Sequence, residues 1–224
     1  MRLVDYDSRE ALVAAVAETL ALTLGSALEE ARDLSFAVPG GTTPGPIFDI
    51  LSARGDLDWS RVTILLSDER WVPETHELSN TALVKARLLT GPARAARFAP
   101  FYRDGLSAED GCTAVAPTLA AHLPLSVLML GMGADMHTAS LFPAAPGTAE
   151  AMAPGAPALC PVYPADHDVA RVTLSAPVLQ AAARTHIVIF GADKRAAVNR
   201  AQALSPQEAP VAAVLGGATV HCAS

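Results

Sequence analysis

The middle of this 224-residue chain has no positive charge. Between Arg103 and Arg171 there is neither lysine nor arginine. An anion bound near that stretch must therefore be held by cations from elsewhere in the chain. Cysteine is also scarce. Cys112, Cys160 and Cys222 are odd in number and widely separated, which gives neither a disulfide framework nor a zinc-ligand spacing. Three reduced thiols in a cytoplasm are expected. Charged residues are only 17% of the chain against 51% hydrophobic, which excludes a disordered, solvating chain. The formal net charge of −7 argues against nucleic acid or an anionic membrane as partner. It leaves room for a small anion held by a local cluster. The first residues lack a basic segment followed by an apolar one, and no apolar run approaches the ~20 residues of a membrane span. A cytoplasmic protein without a membrane partner is expected.

What is present is an alternation. Ser8 can cap a helix over about 8–31, with Leu12, Val16 and Leu20 at helical spacing. Leu34–Val38 is a short apolar strand, followed by Gly/Pro-rich residues 39–44 and a helix to about 53. Val62–Leu66 is a second strand, running into polar residues 67–73 and a helix over about 77–89. Ser107 opens a helix over 107–122, with Glu109 and Asp110 in its first turn. Residues 126–130 form a buried strand. Residues 144–168, dense in Ala, Pro and Gly, are expected to be one long loop. Strands at 171–174, 186–190 and 218–221 alternate with helices over 175–183, 191–204 and 210–215. Strands separated by helices predict an α/β fold, Rossmann-like, with a mostly parallel sheet covered by helices on both faces. No linker or composition break divides the chain, so a single domain over 1–224 is expected.

Three strand-end loops carry the chemistry. In the first, Gly40 and Gly41 offer unhindered backbone N–H groups and Thr42 and Thr43 offer hydroxyls, at a helix start suited to an anion. In the second, Asp68-Glu69-Arg70 offers a guanidinium with acids able to hold it. In the third, Gly131 and Gly133 mark a tight bend or a close approach to a ligand, and His137 is a candidate base with Asp135 two residues before it. Gly131-x-Gly133-x-x-Met136 lacks the third glycine of a dinucleotide fingerprint, which argues against a nicotinamide cofactor.

Taken in order, PGGTTP (39–44), SDERWVP (67–73) with Ser79-Asn80, and GMGADMHTASLFP (131–143) resemble the 6-phosphogluconolactonases. The similarity continues through RVTLS (171–175), GADK (191–194) and PVAAVL (210–215), nearly the whole chain. The related glucosamine-6-phosphate deaminases share the first two loops and diverge after the histidine, where Thr138–Pro143 is the lactonase form. One departure is Met136, where the family usually has glycine. If that position needs φ > 0 the methionine is strained; if it needs only a small residue, Met136 narrows or caps the pocket.

The resemblance implies hydrolysis of 6-phospho-D-glucono-1,5-lactone to 6-phosphogluconate, the second step of the oxidative pentose phosphate pathway. His137 would be the general base. Asp135 would orient it or cap the turn. Arg70, Arg171 and Lys194 would hold the phosphate, aided by Thr42 and Thr43. Gly40 and Gly41 would offer N–H donors to the oxyanion. Asn80 would bind sugar hydroxyls or hold the Asp68–Arg70 loop, with Asp68, Gly131 and Gly133 also at the substrate. No metal ligand set or cofactor is expected, and the protein would be a monomer or weak homo-oligomer. The alternatives are a sugar-phosphate isomerase or deaminase, and a sugar-phosphate sensor without turnover. His76, His122, His167, His186 and His221 have no motif support and are expected to be structural or exposed.

Overall fold

The computed structural model describes residues 1–165 and 168–223, so the expectation for His167 lies outside the described residues. The main sheet has seven strands, all parallel. It contains β1 (Arg2–Tyr6), β2 (Leu34–Val38), β3 (Val62–Leu66), β5 (Arg97–Ala99), β6 (Val127–Gly131), β9 (Thr185–Phe190) and β10 (Thr219–Ala223), in the spatial order β1-β10-β9-β6-β2-β3-β5. Every residue of β2 and β3 is buried, as in a parallel sheet covered on both faces. A smaller antiparallel sheet, absent from the sequence reading, joins β4 (Asp68–Arg70), β8 (Arg171–Leu174) and β7 (Leu159–Val162) in the order β4-β8-β7.

The helices follow their sequence signals closely. α1 (Arg9–Glu30) starts where Ser8 accepts a 3.1 Å hydrogen bond from the Ala11 N–H, and it buries Leu12, Val16, Leu20 and Leu24. The sequence showed no apolar run of spanning length, yet α1 is long and apolar enough to cross a membrane by length and composition. Half of its most apolar window is buried within the fold, as in a core helix. α2 (Gly45–Ser52) follows the Gly/Pro loop. α3 (Asn80–Arg87) begins at its Ser79 cap, three residues later than the periodicity suggested. α4 (Ala108–Ala120) begins at Ser107 as expected.

The long loop expected over 144–168 is wrong in part. It contains α5 (Thr148–Met152) and strand β7, whose pairing with β8 supplies the order that local composition lacks. β1 and β5 were also missed. Both are short strands at the sheet's two edges, where pairing rather than a hydrophobic run defines them. α6 (Ala176–Gln180), α7 (Ala192–Ala201) and α8 (Ala212–Leu215) complete the chain.

The strand order locates the crevice. From β2 the chain moves outward through β3 to β5, whereas from β6 it moves the other way through β9 to β10. The direction of winding reverses between β2 and β6. In open α/β sheets, ligands bind at the carboxyl ends of strands beside such a reversal.

Candidate active site

Four neighbouring strands, β9, β6, β2 and β3, end on the same side of the sheet, and each leads into a segment marked by its residues. They enclose a cavity of about 340 Å³. Gly40, Gly41, Thr42 and Thr43 line it from the end of β2, Asp68 and Arg70 from beyond β3, and Gly131, Gly133 and His137 from beyond β6. Lys194 joins them from α7, Arg171 from β8 and Asn80 from the start of α3. Every site residue named from the sequence lines this cavity except Asp135, which stands behind His137.

His137 sits in a tight reverse turn. The Met136 N–H donates to the Gly133 carbonyl at 3.1 Å and the Gly133 N–H to the His137 carbonyl at 3.0 Å. This is the bond pair of a three-residue turn closed by a left-handed residue, a position that favours glycine. Met136 occupies it, with φ +68. The first of the two expectations for Met136 is therefore the correct one: the position needs positive φ. The left-handed backbone costs a non-glycine residue roughly 1–2 kcal/mol. The second expectation fails, because Met136 does not line the cavity. Its half-buried side chain packs against the core.

Asp135 does both things expected of it. One carboxylate oxygen, Oδ1, lies 3.2 Å from the His137 N–H and 2.6 Å from His137 Nδ1. A carboxylate only accepts, so Nδ1 carries the proton and Nε2 is left as the basic nitrogen. The imidazole also lies against Phe142, with ring centroids 4.4 Å apart. Gly133 makes room for this pair. A Cβ there would sit 2.2 Å from His137 Nδ1 and 2.3 Å from Asp135 Oδ1. Thr138 and Ser140, just beyond, are fully buried and face inward: the Thr138 hydroxyl donates to the Gly131 carbonyl at 2.8 Å and the Ser140 hydroxyl to Asp68 at 2.7 Å.

The opposite wall is cationic. Arg70 and Arg171 are direct register partners in the β4–β8 pair, and like charges placed so are destabilising. Arg171 is only 8% exposed. Its burial and the neighbouring Arg70 charge push its pKa down, against the pull of Asp68 and Glu69. The Nε atoms of both arginines are buried without a hydrogen-bond partner. Among the described residues, no salt bridge engages Arg70, Arg171 or Lys194. A sequence that places two guanidiniums and an ammonium on one cavity, free of carboxylate partners, has built a site for an anion.

The acids of the second loop hold this wall differently from the expectation. Neither pairs with the Arg70 guanidinium. Asp68 is held by the Ser67 hydroxyl at 2.9 Å and by Ser140 at 2.7 Å. Glu69, fully buried, accepts the backbone N–H groups of Arg70 at 2.7 Å, Asn80 at 2.7 Å and Thr81 at 2.8 Å, with the Ser79 hydroxyl at 3.3 Å. Burial pushes its carboxyl upward, against the opposing effect of these bonds. Asn80 donates to the Asp68 carbonyl at 2.8 Å and accepts from the Arg70 guanidinium, so it holds the loop, as one of its two expected roles required. Gly40 lets Asn80 in: a Cβ there would meet Asn80 Oδ1 at 1.9 Å.

Glu69, Ser140 and Phe142 were not recognised as site residues from the sequence. Glu69 caps a helix ten residues downstream, and Ser140 meets Asp68 from 72 residues further along the chain. Neither contact leaves a local spacing signal. Phe142 lay inside the quoted motif, with nothing to show that its ring would meet His137. Among the described residues, no group of His, Cys, Asp and Glu is placed to hold a metal ion.

Comparison with known proteins agrees with this geometry. Residues 7–222 match the family described as glucosamine-6-phosphate isomerases/6-phosphogluconolactonase. The chain is 41% identical over 215 residues to the 6-phosphogluconolactonase of Pseudomonas aeruginosa, covering 92% of this chain and 88% of that one. It is 39% identical over 215 residues to the 6-phosphogluconolactonase of Mesorhizobium japonicum, covering 95% and 90%. Its fold superimposes on the crystal structure of a 6-phosphogluconolactonase from Shewanella baltica with a TM-score of 0.94, at 30% identity, over 100% of this chain and 98% of that one.

Proposed function

The chain belongs to the glucosamine-6-phosphate isomerase/6-phosphogluconolactonase family, and from that premise we propose that it hydrolyses 6-phospho-D-glucono-1,5-lactone to 6-phosphogluconate, acting as one lactonase unit over 1–224. The observation that carries the reading is one cavity with a histidine–carboxylate pair on one wall and, on the other, three cations that have no salt bridge among the described residues. The lactone puts its electrophilic carbon and its phosphate at opposite ends of a six-carbon frame, so a base and an anion site must face each other across a hollow.

His137 Nε2 takes a proton from water as the water oxygen attacks C1. The carbonyl electrons move onto oxygen, where the N–H groups of Gly40 and Gly41 stabilise the negative charge. Collapse re-forms the carbonyl and breaks the C1–ring oxygen bond. The imidazolium returns its proton to that oxygen, and the new carboxylic acid ionises. Asp135 holds the Nδ1 proton and stabilises the imidazolium. Arg70, Arg171 and Lys194 bind the phosphate with the hydroxyls of Thr42 and Thr43. Asp68 and Asn80 act by fixing Arg70 and the loop. Gly131 and Gly133 let the substrate and the His–Asp pair approach the backbone. The ester is already activated and its leaving alkoxide stays tethered, so these residues suffice for the reaction.

Each turnover releases one proton, so a pH-stat assay on freshly generated lactone reads the reaction directly. His137→Ala should lower kcat by on the order of 10²–10⁴-fold while the circular dichroism spectrum is retained. A folded His137→Ala protein with full rate would remove the mechanism. Ammonia release from glucosamine 6-phosphate would reassign the chain to the deaminase branch.

A further inference from the structure

Met136 is left unexplained by the chemistry above. It occupies a left-handed position where glycine would sit without strain, directly between the two residues of the catalytic pair, and its side chain does not reach the cavity. Strain of this kind persists only where the surroundings fix it, and it concentrates at functional sites. The surroundings here are specific. The Met136 side chain packs against the hydrophobic core. Its carbonyl accepts the Val211 N–H at 3.1 Å, tying the turn to the segment that enters α8. Its own N–H closes the turn on the Gly133 carbonyl. The adjoining half-buried His137 ring is held by Asp135 at 2.6 Å and by Phe142, with ring centroids 4.4 Å apart. A glycine at 136 would keep the turn's backbone bonds and lose the apolar side chain that packs this turn against the core.

We propose that Met136 is a positioning residue: its half-buried side chain pins the 133–137 turn to the core, so that Asp135 and His137 keep their 2.6 Å contact instead of sampling looser turn geometries. The proposal rests on the lactonase reading for its kinetic consequence but not for its structural one. Its core claim is about the order of the imidazole, which exists without substrate.

Two readouts test it. In the first, the ring and Nδ1–H resonances of the His137 imidazole are followed by NMR in the unliganded protein. Met136→Gly should leave the fold and thermal stability close to the parent. The His137 Nδ1–H resonance should broaden through faster exchange with water, because a loosened Asp135 carboxylate no longer holds that proton. Met136→Leu, which keeps an apolar anchor, should keep the parent's His137 Nδ1–H resonance. Met136→Asn, which tolerates the left-handed backbone but lacks the anchor, should follow glycine. In the second, steady-state kinetics should show kcat for the Gly and Asn variants about 5–10-fold below the parent with KM changed less than twofold, and Leu close to the parent. An unchanged His137 Nδ1–H resonance and kcat in Met136→Gly would mean that methionine is merely tolerated. A kcat that rises on relief of the strain would overturn the proposal as well. If Met136→Gly does not fold, the Leu and Asn pair decides alone: the same His137 Nδ1–H resonance in the two removes the anchoring role. A parent protein without lactonase turnover would sink the functional reading and leave the NMR test standing.

Discussion

Arg171 is held where an arginine gains least from the protein itself. It is nearly buried, its Nε has no partner, and Arg70 stands directly opposite across the strand pair. Burial without a counterion is unfavourable for a charge, and replacing such a charge by an apolar side chain is often neutral or stabilising. The same position makes it strong toward a phosphate, because a charge-assisted hydrogen bond is worth about 1.5–3 kcal/mol. Arg171→Met should therefore raise KM for the phospholactone by roughly 10–100-fold with a smaller effect on kcat. Its urea midpoint should be no lower than the parent's. A KM within twofold of the parent would remove Arg171 from the phosphate site, and a marked loss of stability would show that its charge is structurally satisfied after all. The legibility of single residues followed the same division. His137 and the glycines stand in loops whose composition announces them. Glu69 does not, since an acid beside an arginine looks like its ion-pair partner, and only the fold turns its carboxylate toward three backbone N–H groups instead.

At the scale of elements, β4 and α3 are joined through Glu69. Its two oxygens are both surrounded by donors: Arg70 and Asn80 N–H on Oε1, Thr81 N–H and the Ser79 hydroxyl on Oε2. Glu69→Gln must point its amide NH2 at one of these pairs whichever way it turns. The variant should lose about 1–3 kcal/mol of stability through unsatisfied buried groups and loosen Arg70 and Asn80 together. Denaturant unfolding measures the first effect, and a raised KM the second. Full stability in Glu69→Gln would show that relief of the buried charge offsets the lost bonds. The elements that escaped the sequence reading share a cause. β7 and α5 lie in a run of Ala, Pro and Gly, and β4 is three polar residues long. Such strands are defined by their partners: β4 and β7 both pair with β8, and without that pairing nothing local separates them from loop. The strands β2, β3 and β6 were readable because burial on both faces requires a continuous apolar run.

For the molecule as a whole, the first and last strands are clasped by a buried polar chain. Tyr6 on β1 is hydrogen-bonded to His221 Nδ1 on β10 at 2.8 Å, and His221 Nε2 to His186 Nδ1 on β9 at 3.1 Å. Burial pushes both histidines down, His221 from 6.5 to about 4, with the neighbouring His186 adding to the effect. The folded protein thus binds fewer protons than the unfolded chain between these values. The contribution is fully present above about pH 6.5 and is lost as pH falls toward 4, to a total of about 3 kcal/mol. Urea unfolding at stepped pH should show this decline, and His221→Gln should flatten part of it. An identical pH slope in that variant would assign the acid sensitivity to other groups.

The sequence by itself determined the parallel α/β alternation, the three loops at strand ends, the candidate base and the family they resemble. Those features are local: an apolar run, a glycine turn, or a histidine two residues from an acid is written in consecutive residues. Tertiary structure alone decided which loops share a cavity, because the reversal of winding between β2 and β6 belongs to the order of strands in the sheet. It alone placed Arg70 opposite Arg171, some hundred residues apart in the chain, by an antiparallel pairing that no spacing encodes. It also decided the conformation of Met136. A methionine in the sequence carries no sign of its φ, and only the closed turn, the Val211 bond and the core beneath its side chain require the left-handed one.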